Sequence, residues 1–519
     1  MQCICLPTRI YLFSGKFKFC PDDLELPWTY ISDLFCLLST SVAILAAEVY
    51  FPKTYIPQTA IEEHYGFPEK YTKGLGQMSM AICDEAEDVV SLSLTVTKRL
   101  IERIELDLTK VGFLEVNLKV GSETLVDKSK SIKSHLMVLF EESGNFDLAG
   151  IDVKSACYGG TAALFNAINW LESSSCDGQF GRLALVVAAD IATYLTASTQ
   201  PTGGAGAVAI LLGPNAPLVV DSGGLRVCAM RHRYDFYKPV MKSIFPEVDG
   251  KLSITCYKEA VLSCYRLYRE KVEKFTGGRK VQVIGDRSKC EFPIDFVCFH
   301  SPFYRLVAKS FGWMVLQDVK TAMTTGRVAT EAPTAAPTTK AGVNNSASEF
   351  HNAGATDESA LVRELAPLAN EADRFVFSRS TQISRTVDEA CLSASRALFD
   401  FKVAPGLRIT SEVGNLYTAS LYACLISLAC SLSNRVPEVN LRGRRVLMFS
   451  YGSGYTSSMF SLRISETADV EAIFGASSHS PFDRLAQRTP ITYTSFSDGL
   501  EAREAAVDKG TSLSLAILE

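Results

Sequence analysis

Cys157 stands between a short β-like run and an amphipathic helix, in Lys154-Ser-Ala-Cys157-Tyr-Gly-Gly160-Thr-Ala-Ala-Leu-Phe-Asn-Ala-Ile-Asn-Trp170. A thiol at a helix N-terminus meets the positive end of the helix dipole, which favours the thiolate and hence nucleophilic chemistry. The bland alternative is an inert core thiol, the usual state of a buried cysteine. Other polar residues fall at strand ends, where α/β enzymes gather their chemistry. Glu123 follows a strand in Gly121-Ser-Glu-Thr124, Asp190 ends the run at 183–189, and His300 ends the run at 294–299. Asn415 precedes a helix, and Ser453 lies in the glycine loop Tyr451-Gly-Ser-Gly454. Each has a structural reading when taken alone: a turn carboxylate, a core histidine, a helix cap, a plain turn. No lysine follows the glycine loop at the spacing a nucleotide phosphate loop needs. Taken together they fit acyl transfer through a thioester. The thiolate takes the acyl group, a carboxylate removes a weakly acidic C–H proton, and N–H donors hold the oxyanion or enolate.

The elements that must hold these residues alternate between strand and helix. Runs at 42–50, 183–189 and 207–212 read as buried strands, and 113–120 alternates as a strand does. Apolar residues at helical spacing mark 84–103, 132–140 and 161–174. The same grammar returns with strands at 294–299, 445–450 and 459–464 and helices at 304–316 and 416–432. This alternation predicts an α/β protein with largely parallel central sheets, in two layered halves. The Ala-, Thr-, Asn- and Pro-rich stretch at 324–358 carries few large apolar residues and reads as an inserted, solvent-exposed loop.

Composition removes several classes of function. Apolar residues make up 47% of the 519 and charged residues 21%, the balance of a globular protein with a sizeable core. A net charge of −5, with no basic stripe, gives no support for nucleic-acid binding. The fifteen cysteines show no Cys-X2-Cys pair and no zinc spacing, which points to reduced thiols, an intracellular compartment and no metal site. The apolar run at 34–47 is shorter than the roughly 20 residues a membrane span needs. The basic leader of a signal peptide is also missing, so residues 1–41 read as an extension of unknown role.

At the level of motifs the chain resembles eukaryotic 3-hydroxy-3-methylglutaryl-CoA synthases of the thiolase superfamily. The resemblance is carried by Tyr71-Thr-Lys-Gly-Leu-Gly-Gln77, Gly121-Ser-Glu-Thr124, Asp127-Lys-Ser-Lys130, Ala156-Cys-Tyr-Gly-Gly-Thr-Ala162 and Pro201-Thr-Gly-Gly204. It continues through Tyr234-Asp-Phe-Tyr-Lys-Pro239, Val248-Asp-Gly-Lys-Leu-Ser253, Phe299-His-Ser-Pro302, Gly414-Asn-Leu-Tyr-Thr418 and Phe449-Ser-Tyr-Gly-Ser-Gly454. It implies a thiolase-like layered αβαβα fold, with an N-terminal half at 42–217 and a C-terminal half at 218–519, each with a mixed central sheet. It further implies Cys157 as acyl-accepting nucleophile, Glu123 as general acid/base and His300 as the residue that positions an acetoacetyl group. Asn415 and Ser453 match substrate and oxyanion contacts, and Asp190 and Asp235 match acidic residues that support the site. Thr202, Ser253 and Lys309 match positions touching substrate or CoA, and Arg305 stands where the family often has lysine. The substrates implied are acetyl-CoA and acetoacetyl-CoA, with no further cofactor, in a homodimer of the cytoplasm or mitochondrion.

The chain departs from the family pattern in places. Asn117-Leu-Lys-Val120 has no counterpart beside the Glu123 strand, Gln200 replaces an arginine, and Ala189 replaces a glycine. The 1–41 extension lacks a counterpart in the cytosolic pattern, and the family continues beyond the segment at 511–519 into a tail whose loss would expose a sheet edge. Two other classes remain open: a ketoacyl synthase-like enzyme using carrier-protein thioesters, and an inactive thiolase-fold scaffold that binds CoA. The Glu in Ser-Glu-Thr argues against the first, since those relatives usually carry a second His or Asn there.

Overall fold

The computed structural model describes residues 11–13, 16–18, 42–84, 87–117, 130–173, 182–221, 225–240, 243–284, 290, 292–324, 358–369, 381–433, 441–476 and 480–509. Met1–Ser41 is a separate unit, in which Tyr11–Phe13 pairs antiparallel with Lys16–Lys18. Val42–Glu519 is the main unit. The expected strand at 118–120, Glu123 and most of the Ala/Thr-rich stretch lie outside the described residues.

Ten strands of the main unit make one sheet. They are β1 (Ala43–Tyr50), β2 (Val111–Asn117), β3 (Asp152–Val153), β4 (Leu183–Ala192), β5 (Gly204–Gly213), β6 (Leu218–Val220), β7 (Val227–Met230), β8 (Phe296–Phe299), β9 (Arg445–Gly452) and β10 (Thr456–Ile464). Their order is β8-β9-β10-β6-β1-β5-β4-β2-β3, and β7 pairs with β10 beside this path. Only β2–β3, β2–β4 and β8–β9 run parallel. The mixed sheet implied by the resemblance is present, and the largely parallel one inferred from strand–helix alternation is not. The reason is that β4 and β5, like β9 and β10, are sequential partners joined without an intervening long helix, so they pair antiparallel.

The helices that flank the sheet are α1 (Val89–Ile104), α2 (Gly159–Glu172), α3 (Gly250–Phe275), α4 (Tyr304–Thr324), α5 (Thr381–Ala394) and α6 (Ser420–Ser433). Side-chain alternation along the strands assigns the layers. Leu185, Val187 and Ala189 of β4 join Val90, Leu92 and Val96 of α1 in one cluster, whereas Ala184, Val186 and Ala188 face Ala163 and Ala167 of α2. On β9, Ser450 points to Thr161 of α2, while Phe449 and Tyr451 pack on Tyr257 of α3. The layers are therefore α1, N-terminal strands, α2 with α6, C-terminal strands, and α3 with α4. α6 is buried along almost its whole length, as a helix covered on both faces must be, whereas α2 leaves Asn166, Asn169 and Glu172 exposed.

The 26-residue α3 has no counterpart among the elements expected from sequence, and neither has the short helix Arg408–Val413. α3 buries Lys258 and Glu259 among its apolar residues, which breaks the amphipathic stripe by which a helix is read. Charge is buried elsewhere too. Glu48 on β1 accepts from Arg103 Nε at 2.9 Å and from Arg484 at 2.8 Å, and Arg103 also donates to the carbonyls of Ala47, Ala472 and Ile473. Glu48→Ala leaves two guanidinium groups facing each other without their anion. Urea unfolding is expected to show a loss of about 3 kcal/mol, against under about 1 kcal/mol if water takes over the carboxylate's role.

Candidate active site

Cys157 sits one residue before the cap of α2, in a tight strand-to-helix turn. Ala156 takes a left-handed backbone conformation, φ +46°, and Tyr158 N donates back to Ser155 O at 3.1 Å. That reversal delivers the thiol to the N-terminal end of α2, 7% exposed. Gly159 follows because nothing larger fits. A Cβ there would lie 1.7 Å from the side-chain amide nitrogen of Asn117.

The turn forms the floor of a cleft of about 190 Å³. Its walls bring together Cys157, Thr202, Ser253, His300, Asn415 and Ser453, from six separate stretches of chain. His300 ends β8; its N–H donates to Phe449 O at 2.8 Å and its carbonyl accepts from Tyr257 OH at 2.5 Å. Its ring lies nearly parallel to that of Tyr451, at 17°. Asn415 enters by a glycine hinge. Gly414 has φ +87° and lies so close to Gly203 O that a Cβ would come within 2.0 Å of it. Asn415 N then donates to Gly203 O at 3.0 Å, and its side-chain oxygen accepts from Tyr417 N at 2.8 Å. Ser253 rides the first turn of α3, which is capped by the Asp249 side chain through Leu252 N at 3.0 Å.

Four expected residues stand behind the walls or away from them. Asp235 is fully buried and holds the glycine loop, accepting from Tyr451 OH at 3.1 Å and Gly454 N at 3.0 Å. Asp190 is fully buried at the end of β4, and its carboxylate accepts from Ile191 N at 3.2 Å. Arg305 starts α4, with its backbone N–H on Leu75 O at 2.9 Å. Lys309 pairs with Asp388 of α5 at 3.3 Å, and Asp388 also accepts from Lys258 Nζ at 2.6 Å and Trp313 Nε1 at 2.7 Å. Glu123 lies outside the described residues.

Aromatic residues supply the walls that strand-end reasoning left out. Tyr194 and Tyr417 cluster on Cys157, and Tyr417 OH donates to Tyr194 OH at 2.6 Å. Burial pushes both phenols well above their ordinary range, so both remain neutral donors at any physiological pH. Phe236, Tyr257 and Tyr451 complete the apolar lining. Tyr417 and Tyr451 stand inside quoted motifs, two residues from Asn415 and from Ser453. That proximity was the available signal. A thiol, an imidazole and the Asn415 amide in a mostly apolar cleft form a site for acyl transfer, where fixed donors act strongly on a developing oxyanion.

The layered fold and a thiol at a strand-to-helix turn define a thiolase-like protein of the acyl-transfer class. The family described as "Hydroxymethylglutaryl-coenzyme A synthase N terminal" matches residues 38–217, and its C-terminal counterpart matches residues 218–336 and 335–513. The chain belongs to the hydroxymethylglutaryl-CoA synthase family. It is 42% identical over 468 residues to the cytoplasmic hydroxymethylglutaryl-CoA synthase of Gallus gallus, covering 89% of this chain and 80% of that protein. It is equally 42% identical over 468 residues to the mitochondrial enzyme of Sus scrofa, covering 89% and 82%. Among solved structures it is similar to MvaS in complex with 3-hydroxy-3-methylglutaryl coenzyme A, with a TM-score of 0.67, 28% identity, and coverage of 89% of this chain and 92% of that one.

One buried carboxylate lies under the nucleophile's helix. Glu115 on β2 is 2% exposed and accepts from Asn166 of α2 at 2.8 Å. Burial pushes its pKa up to about 7 from 4.5, against the opposing pull of the Asn166 hydrogen bond and of Lys133. Between these values the folded chain keeps a proton that the unfolded chain has released. The associated stability is therefore fully present below about pH 4.5 and is lost as pH rises through about 7. Glu115→Gln, which stays neutral, should flatten the pH dependence of unfolding free energy by up to about 3 kcal/mol between pH 5 and 7.5. Parallel curves for the two proteins would show that Glu115 titrates normally.

Proposed function

We propose that the chain condenses acetyl-CoA with acetoacetyl-CoA to give 3-hydroxy-3-methylglutaryl-CoA, the step that feeds the mevalonate route to isoprenoids and sterols. The observation that carries this reading is the convergence of Cys157, His300, Asn415 and Ser453 on one apolar cleft. The Cys157 thiolate attacks the acetyl carbonyl, and the CoA thiol leaves with a proton. A base, assigned to Glu123 from its sequence motif, takes a proton from the acetyl methyl while donors hold the enolate oxygen. The resulting carbon attacks the ketone of acetoacetyl-CoA, positioned beside His300, and the alkoxide takes up a proton. Water then cleaves the Cys157 thioester, freeing the thiol and the new carboxylate.

Asn415 and Ser453 contact substrate in this scheme, and Thr202 and Ser253 bind the thioester arm. Asp190 and Asp235 support the walls, with Asp235 acting through the glycine loop. Arg305 and Lys309 serve the CoA phosphates, for which Lys309 exchanges Asp388 for the ligand. The chemistry draws on side chains and backbone alone and needs no cofactor. The enzyme works as a homodimer in the cytoplasm; the relatives include both cytoplasmic and mitochondrial enzymes. Among the described residues no helix is long and apolar enough to cross a membrane.

Purified protein given acetyl-CoA should release CoA thiol and gain one acetyl group on the Cys157 peptide. Cys157→Ser should abolish both. His300→Ala should keep the adduct while losing about a hundredfold in kcat/KM for acetoacetyl-CoA. Absence of the adduct with both CoA and carrier-protein donors would overturn the reading, and an adduct formed only with a carrier-protein donor would favour the ketoacyl synthase class.

A further inference from the structure

Asn117 is the last residue of β2 and the first of the four residues that depart from the family pattern. It is fully buried. Its side-chain nitrogen donates to Val153 O on β3 at 2.7 Å, and its side-chain oxygen accepts from the Thr418 hydroxyl. The Thr418 oxygen in turn accepts from Gly160 N, in the first turn of α2, at 2.6 Å. The directions are fixed by chemistry. A carbonyl can only accept, so the amide must turn its NH2 to Val153. Its oxygen then faces Thr418, whose single proton must go there, leaving a lone pair for Gly160 N–H. The result is a one-way relay from the sheet through the Asn415–Thr418 loop to the turn that carries Cys157.

We propose that Asn117 is a positioning residue for the nucleophile: through Thr418 it fixes the start of α2, and with it the separation of Cys157 from the Asn415 wall. Aspartate cannot replace it, because a carboxylate would face the Val153 carbonyl. Leucine fills the space but leaves the Thr418 proton without an acceptor in a dry interior. The contact over Gly159 has the same origin, since the amide occupies the room that a Cβ would need. The consequence for acyl transfer rests on the reading of Cys157 as acyl carrier; the consequence for the thiol itself does not.

The test uses Asn117→Leu, Thr418→Val, Thr418→Ser and the double variant Asn117→Leu/Thr418→Val. Alkylation of Cys157 by iodoacetamide at fixed pH, followed on its own peptide by mass spectrometry, needs no substrate. Asn117→Leu and Thr418→Val should each slow it about threefold, as the start of α2, whose dipole favours the thiolate, loses its fixed position. Acetylation by acetyl-CoA should fall about tenfold in kcat with KM unchanged, since ground-state binding is untouched. Thr418→Ser, which keeps the hydroxyl, should restore both rates, and the double variant should be no slower than the slower single one. If Asn117→Leu does not fold, Thr418→Val against Thr418→Ser decides the same point. The proposal is overturned if the single variants alkylate at the wild-type rate, or if their effects multiply as independent packing losses would. Wild-type protein that alkylates but never acetylates would remove the acyl-carrier reading and leave the relay to be judged on alkylation alone.

Discussion

The cleft depends on α2 being gripped by both halves of the sheet. Thr161 donates to Ser450 on β9 at 2.8 Å and lies 2.9 Å from Tyr422 OH on α6, and Tyr158 OH meets Ser458 on β10 at 2.9 Å. These are buried polar contacts in an otherwise apolar layer, where a lost partner costs far more than at the surface. They therefore set the position of the helix as well as its stability. With α2 fixed against β9 and β10, Cys157 at its N-terminal end faces His300, which leaves the neighbouring strand β8. Two residues distant by 143 positions in sequence are thus brought to one cavity by a few hydroxyl groups.

Much of the site was legible because α/β proteins place chemistry at strand ends. Cys157, His300 and Ser453 stand at such ends or on the loops after them, Asn415 follows the short helix Arg408–Val413, and the cleft contains all four. Tyr194, Tyr257 and Tyr417 were not assigned a part, since an aromatic residue in an apolar run reads as core, and they do line the core side of the cavity. Lys309 shows the opposite limit. A lysine early in a helix reads as free to meet an anion, and only the fold reveals that Asp388, remote in sequence, already supplies one. The largely parallel sheet failed for a related reason: alternation counts elements but does not say which consecutive strands are hairpin partners.

Buried charge recurs as a way of fastening layers. Glu48 ties β1 to α1 and to Arg484 near the end of the chain, while Asp388 ties α5 to α3 and α4. Since α3 and α4 carry Ser253, Tyr257 and Leu306 of the cleft wall, the Asp388 cluster stands behind one whole side of the site. Burial pulls the pKa of Lys258, 2% exposed, below the ordinary lysine value, and that carboxylate opposes the pull. Such a cluster adds little net stability but restricts how the helices can dock.

The continuous sheet constrains how a long thioester reaches a thiol that is 7% exposed. The short strand β6 is hydrogen-bonded to β1 on one side and β10 on the other, so it stitches the two halves into one ladder. A clamshell motion between the halves would shear that ladder and pull α2 from β9. Hinged opening of the two halves would break those pairings, so the sheet favours a socket of fixed walls over a jaw.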